Sequence, residues 1–104
     1  MSQYDVFENP IPRARAAFPF VTILQSALAD TGRERMVAPL VPRARMPGVS
    51  GRLTPIVKVS GVEHVLIVPR MAPVGIADLR GAKDQLASYR NEIVAALDFL
   101  FLGV

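Results

Sequence analysis

The stretch from Asp84 to Val104, DQLASYRNEIVAALDFLFLGV, is the part of the chain where apolar residues return every three or four positions. Leu86, Tyr89 or Arg90, Ile93, Leu97 and Leu100 fall on one stripe, the mark of an amphipathic helix with that stripe turned to a core. Asp84 or Ser88 can accept the free N–H groups of its first turn, and Gly103 is placed to end it. Opposite the stripe, Asn91, Ala95, Asp98 and Leu102 share an outer face at spacings of four, three and four. That face is small and polar until its tip, where Phe99, Leu100, Phe101, Leu102 and Val104 crowd five large apolar side chains together. One helix cannot bury so many on its own domain, so either the tail plugs a barrel or part of it meets a second chain. A two-fold dimer built on this helix would present two copies of its outer face side by side.

Upstream of about residue 80 the pattern is that of short strands broken by turn residues. Tyr4 to Phe7 reads as a first strand. Phe18 to Gln25 alternates, with Phe18, Phe20, Thr22 and Leu24 against Val21, Ile23 and Gln25, and both faces are apolar enough to be buried. Further apolar runs lie at Met36 to Val41, Leu53 to Val59, His64 to Val68 and, more weakly, Val74 to Ile76, and Ser60-Gly61-Val62-Glu63 reads as a hairpin turn. Pro19, Pro39 and Pro55 sit within these runs and cannot donate to a ladder, so they belong at edges, strand starts or bulges. Glu8 to Ala17 is expected as an exposed hairpin arm and Pro42 to Gly51 as a long excursion. One helix on a strongly bent antiparallel sheet is a mostly-β, α+β barrel in a single domain, residues 1–104.

The 104 residues suffice for one core, and 51% hydrophobic with 20% charged residues is too apolar for disorder. Without cysteine there is neither a disulfide framework nor thiol chemistry. The polar, acidic start is unlike a signal peptide, and the apolar run from Ile93 to Val104 is too short to span a bilayer, so a cytoplasmic protein with no membrane partner is expected. Twelve Lys+Arg against nine Asp+Glu give a formal +3, and ten of the twelve cations are arginine. Arg13/Arg15, Arg33/Arg35 and Arg43/Arg45 recur as R-x-R pairs, which serve either as solvated surface or as forks for phosphate or carboxylate groups.

Searches for catalytic patterns return nothing: the chain has no H-E-x-x-H, Gly-Lys-Ser loop, G-x-G-x-x-G or cysteine pair. His64 opens an apolar strand and reads as a structural histidine, with a catalytic base as the alternative. Asp78 and Asp84 fit turn and cap roles. No catalytic residue, metal site or cofactor is expected.

Gln25-Ser26, Asp30-Thr31, Arg35-Met36-Val37 followed by Pro39-Leu40, Pro55-x-Val57, Met71-Ala72 and the ending Phe101-Leu102-Gly103-Val104 occur in an order and spacing that resembles the CcdB-type toxins, DNA gyrase poisons of toxin–antitoxin pairs. The resemblance runs nearly end to end. It implies an SH3-like five-stranded antiparallel barrel with a small extra sheet and a C-terminal helix, assembled as a homodimer around that helix. It also implies a binding protein and not an enzyme: the dimer engages the GyrA subunit of DNA gyrase and traps the covalent gyrase–DNA cleavage complex. A cognate antitoxin neutralises the toxin and with it represses their operon, so DNA is met only indirectly or through that repressor complex.

By the same resemblance the gyrase contact falls on Leu102, Gly103 and Val104, led up to by Asn91, Ala95 and Asp98, with Leu28 and Ala29 as an assisting loop pair and Phe101 as a partly structural neighbour. One position departs from the pattern: Leu102 stands where the family has a Trp that stacks on a gyrase arginine. Two other readings follow. An mRNA-cleaving toxin of the sister ribonuclease family would use Arg13, Arg15, Arg33 and Arg35 as phosphate ligands, and a paralogue without toxicity would keep dimerisation and antitoxin binding.

Overall fold

The computed structural model describes residues 1–26, 29 and 32–103. Seven strands, all paired antiparallel, form one sheet: β1 (Asp5–Glu8), β2 (Phe20–Ile23), β3 (Glu34–Pro42), β4 (Ile56–Val59), β5 (Val62–Leu66), β6 (Ala72–Gly75) and β7 (Asp84–Gln85). Their order is β4-β5-β3-β2-β1-β7, with β6 attached to β3. Strands β1 to β5 make the barrel-like body. The short β6 and β7 are the small addition, hydrogen-bonded into the same sheet. The helix α1 (Arg90–Leu102) follows a 3-10 turn at Ala87–Tyr89.

Local chemistry explains the strand ends. Tyr4, expected inside the first strand, instead precedes it with φ 69, a left-handed conformation that costs a non-glycine residue about 1–2 kcal/mol. It is held there by its N–H to the Ile23 carbonyl (2.7 Å) and by the Leu86 N–H donating to its own carbonyl (2.9 Å). Beyond Glu8 there is no hairpin arm of paired strands. The chain turns through a single 3-10 turn at Pro12–Ala14, pinned by Asn9, whose amide donates to the Phe18 carbonyl and accepts from the Ile11 N–H. The β4–β5 turn narrows to Ser60 (φ 50) and Gly61 (φ 81), two left-handed residues that match the twist of a two-residue hairpin.

Pro39 is the informative proline. It lies inside β3, opposite Val21 of β2, and its carbonyl accepts the Ile67 N–H, so its nitrogen faces away from β2. On that side β3 changes partner, from β6 (through Val37) to β5 (from Leu40), and Pro39 occupies the gap where no donor is needed. Pro19 and Pro55 stand immediately before β2 and β4.

Alternation places Val6, Leu24, Ala38, Leu40, Val57, Val59 and Leu66 in one buried cluster that α1 closes with Ile93 and Ala96, together with Leu86 from the turn before it. The opposite sheet face buries Phe7, Val21, Ile23 and Val37 under Leu79. Both faces of β2 are therefore covered, as its apolar alternation requires. Buried Thr22 donates to the Asp5 carbonyl (3.1 Å), and His64 contacts the Val62 carbonyl through Nδ1 (2.8 Å) with its ring against Phe20, a structural setting.

The barrel seam between β7 and β4 is closed by side chains instead of a ladder. Asp84 does not cap the helix: its carboxylate accepts the Ser60 N–H (2.6 Å), and the Tyr89 hydroxyl accepts the Lys58 N–H (3.1 Å). Tyr89 occupies the N-cap position with no side-chain cap, so Ser88 does not fill that role either. Tyr89→Phe should therefore cost about 0.5–1.5 kcal/mol, the net worth of one hydrogen bond, read as a lower urea midpoint. An unchanged midpoint would show that the Tyr89 hydroxyl adds nothing net to the seam.

Burial pushes the Tyr4 phenol above its ordinary pKa, partly offset by the Arg90 guanidinium. The unfolded chain then ionises first, so this contribution is complete below about pH 10 and declines as pH rises through the folded-state value. Tyr4→Phe should flatten the alkaline fall in stability, a comparison made by urea unfolding on either side of about pH 10.

Candidate functional site

The outer face of α1 is set by the stripe on its inner side. Ile93 and Ala96 are completely buried and Leu97 and Leu100 half-buried, which turns Asn91, Ala95, Asp98 and Leu102 to solvent as one line. Gly103 then takes φ 73 and its N–H donates to the Phe99 carbonyl (3.1 Å), ending the helix at Leu102.

The tip does not plug the barrel. Phe101 is 68% and Leu102 69% exposed, although both are large and apolar. A step of about 100° per residue splays them, Leu102 continuing the Ala95–Asp98 line and Phe101 continuing a flank with Val94 and Leu97. With 68% of its surface exposed, Phe101 does not meet the expectation of a partly structural residue within one chain.

The other flank is occupied. The Arg52 guanidinium sits 3.9 Å from the centroid of the Phe99 ring, a cation–π contact that holds the loop after β3 against the last turns of the helix. A shallow hollow of about 430 Å³ lies between Glu92 and Ala95 on α1 and the segment Gly51–Ile56. No local pattern connects Arg52 to Phe99, and sequence reasoning missed the pair. The apolar sequence of the helix end was the only hint that something covers part of it.

Of the remaining candidate residues, Ala29 is exposed in the loop after β2, with its N–H donating to the Ser26 carbonyl (3.0 Å) and its carbonyl accepting from the Gln25 amide. Leu28 and Val104 lie outside the described residues, so the loop pair and the terminal triad are each described only in part.

The R-x-R pairs separate. Arg33 and Arg35 stand at the start of β3, where Arg35 folds back on the carbonyls of Gly32 and Glu34 (3.0 and 2.8 Å). Arg43 and Arg45 stand at its far end, and Arg45 donates to the Ala16 carbonyl, bringing that pair beside the loop of Arg13 and Arg15. Arg15 pairs with Glu8 (3.3 Å) and Arg43 with Glu63 (3.2 Å). Among the described residues no three His, Asp or Glu side chains gather as a metal site, and no helix is long and apolar enough to cross a membrane.

The family model described as CcdB protein matches residues 3–103 of the chain. No curated protein matches it.

Proposed function

We propose, from the premise that the chain belongs to the CcdB family of toxins from toxin–antitoxin pairs, that it works as a homodimer which binds the GyrA subunit of DNA gyrase and traps the gyrase–DNA cleavage complex. The observation that carries this reading is the tip of α1, where Phe101 and Leu102 stand exposed to more than two thirds of their surface at the end of a polar outer face. Apolar surface of this size gains about 25 cal/mol for each Å² withdrawn from water, so the free tip favours a partner. Two copies of the helix supply two such tips.

In this mechanism the protein makes and breaks no bond. Asn91, Ala95 and Asp98 offer a small, polar approach surface, Leu102 inserts, Gly103 ends the helix behind it, and Val104 is the third member of the contact. Leu102 cannot stack on an arginine as a tryptophan would, but a fully enclosed leucine still gains about 1.5–3 kcal/mol. Leu28 and Ala29 assist from the loop after β2. The cognate antitoxin competes for the toxin and, bound to it, acts at their operator, all in the cytoplasm.

The ribonuclease reading asks Arg13, Arg15, Arg33 and Arg35 to serve phosphates. Arg15 is spent on Glu8, and Arg35 is folded onto backbone carbonyls. Both arrangements count against the ribonuclease reading.

The test is supercoiling and cleavage by the source organism's own gyrase. Accumulation of linear DNA in the presence of the protein supports the proposal. A gyrase that is unaffected, with RNA cut or an antitoxin bound instead, would replace it with the ribonuclease or the non-toxic paralogue.

A further inference from the structure

We infer that Arg52 is a positioning residue for the apolar tip of α1: its guanidinium, laid on the Phe99 ring, clamps the last helical turn to the barrel and so sets how firmly Leu102 meets its partner, an inference that rests on the gyrase reading of that tip. The last turn needs such a clamp. The buried residues of α1 are Ile93 and Ala96, and none lies from Leu97 to Leu102. Glu92 stands in the first turn, but the last turn holds no basic residue, so the partial negative charge of its carbonyls has no cation from the helix itself. A helix end with few buried side chains and no matching charge opens readily into solvent.

Arg52 brings a contact and a charge to that turn from another part of the chain. It stands at the second position of the tight turn Gly51–Thr54, closed by the Thr54 N–H donating to the Gly51 carbonyl (3.2 Å). Pro55 follows, and its carbonyl accepts the Leu66 N–H (3.0 Å) from the end of β5, which ties the turn to the barrel immediately before β4. From this fixed base the guanidinium reaches to 3.9 Å from the Phe99 ring centroid. The ring is its charge partner: Arg52 forms no ion pair and no side-chain hydrogen bond among the described residues.

Phe99 is the residue through which a clamp acts on the tip. Its ring takes the guanidinium and its carbonyl accepts the Gly103 N–H (3.1 Å), so the clamp and the C-cap meet at one residue. Leu102 lies three residues further on, a neighbour of Phe99 on the helix surface and exposed to solvent. Holding Phe99 therefore fixes Leu102 before a partner arrives, so less ordering is left to be done at binding. A cation–π contact of this kind corresponds to about two- to thirtyfold in an equilibrium constant, once for each tip.

The experiment pairs amide hydrogen exchange of the free, full chain with inhibition of the source organism's gyrase. In Arg52→Ala, exchange at the Leu102 and Gly103 amides should speed up several-fold while the urea midpoint holds, and inhibition should weaken by about two- to thirtyfold per tip. Arg52→Lys, which keeps a cation, should recover part of the loss, and Arg52→Met, which keeps only an apolar stem, should not. Phe99→Leu should cause a similar loss, and joining it to Arg52→Ala should add little, because either change removes the same contact. Thermal unfolding confirms that each variant is folded. Unchanged exchange in Arg52→Ala, recovery by Met as complete as by Lys, or losses that add in the double variant, the mark of an arginine that touches gyrase itself, would overturn the proposal. Exchange that responds as expected in a chain inert on gyrase would leave the clamp standing and overturn its role in gyrase binding.

Discussion

Removal of Leu102, Gly103 and Val104 is expected to abolish accumulation of linear DNA by the source organism's gyrase while leaving cooperative unfolding in place. The reason lies in where the helix stops being structural. Its buried stripe ends at Leu100, and Leu102 contributes little to the core with 69% of its surface in water. The deletion also removes the Gly103 N–H that caps the Phe99 carbonyl, a local loss of about 1 kcal/mol. The reciprocal change, Leu102→Trp, should strengthen gyrase binding. One cation–π contact gives about 0.5–2 kcal/mol, and two in a dimer correspond to roughly fivefold to a thousandfold in affinity. Inhibition titrations read both variants. A truncated chain that still poisons gyrase would sink the assignment of the tip, and a tryptophan variant of unchanged potency would show that this position meets no cation in this complex.

Ile93→Ala should lower stability by about 2–5 kcal/mol, the cost of deleting a buried side chain and leaving its cavity. Ile93 is fully buried in the cluster that joins the helix to β1, β3, β4 and β5, so the loss is shared by the whole domain and not confined to the helix. Domains of this size are stable by only about 5–15 kcal/mol, so the variant should unfold at a much lower urea concentration with a similar slope. Ala95→Ser, two residues away on the exposed side, should move the midpoint by less than about 0.5 kcal/mol. If the two variants unfold alike, the helix is not seated in the barrel as described.

What could be read in advance was the part governed by local periodicity. The helix has a 3.6-residue repeat, so both its buried stripe and its outer line of Asn91, Ala95, Asp98 and Leu102 were visible, as was the stop at Gly103. The alternation of β2 announced two covered faces. Features decided by distant partners were not visible. Asp84 has the side chain of a helix cap, and only the approach of Ser60 across the seam gives it another task. β7 is two residues long, too short for any period, and β6 begins at Ala72, ahead of its apolar run, because β3 offers it a partner through Val37. At the site, the gap was the flank: Arg52 and Phe99 are brought together by the fold alone.

The side-chain seam also dictates an order of events during synthesis. β1 is made before the other strands, yet one of its two neighbours in the sheet is β7, and the residues that stitch β7 and the helix to β4 are Asp84 and Tyr89. Until residues 84–97 have cleared the ribosome, the barrel stays open along one side and its central cluster lacks Leu86, Ile93 and Ala96. Closure thus waits on contacts between segments some eighty residues apart, a topology that folds slowly. A nascent chain therefore carries every strand of the barrel before it can present the helix tip.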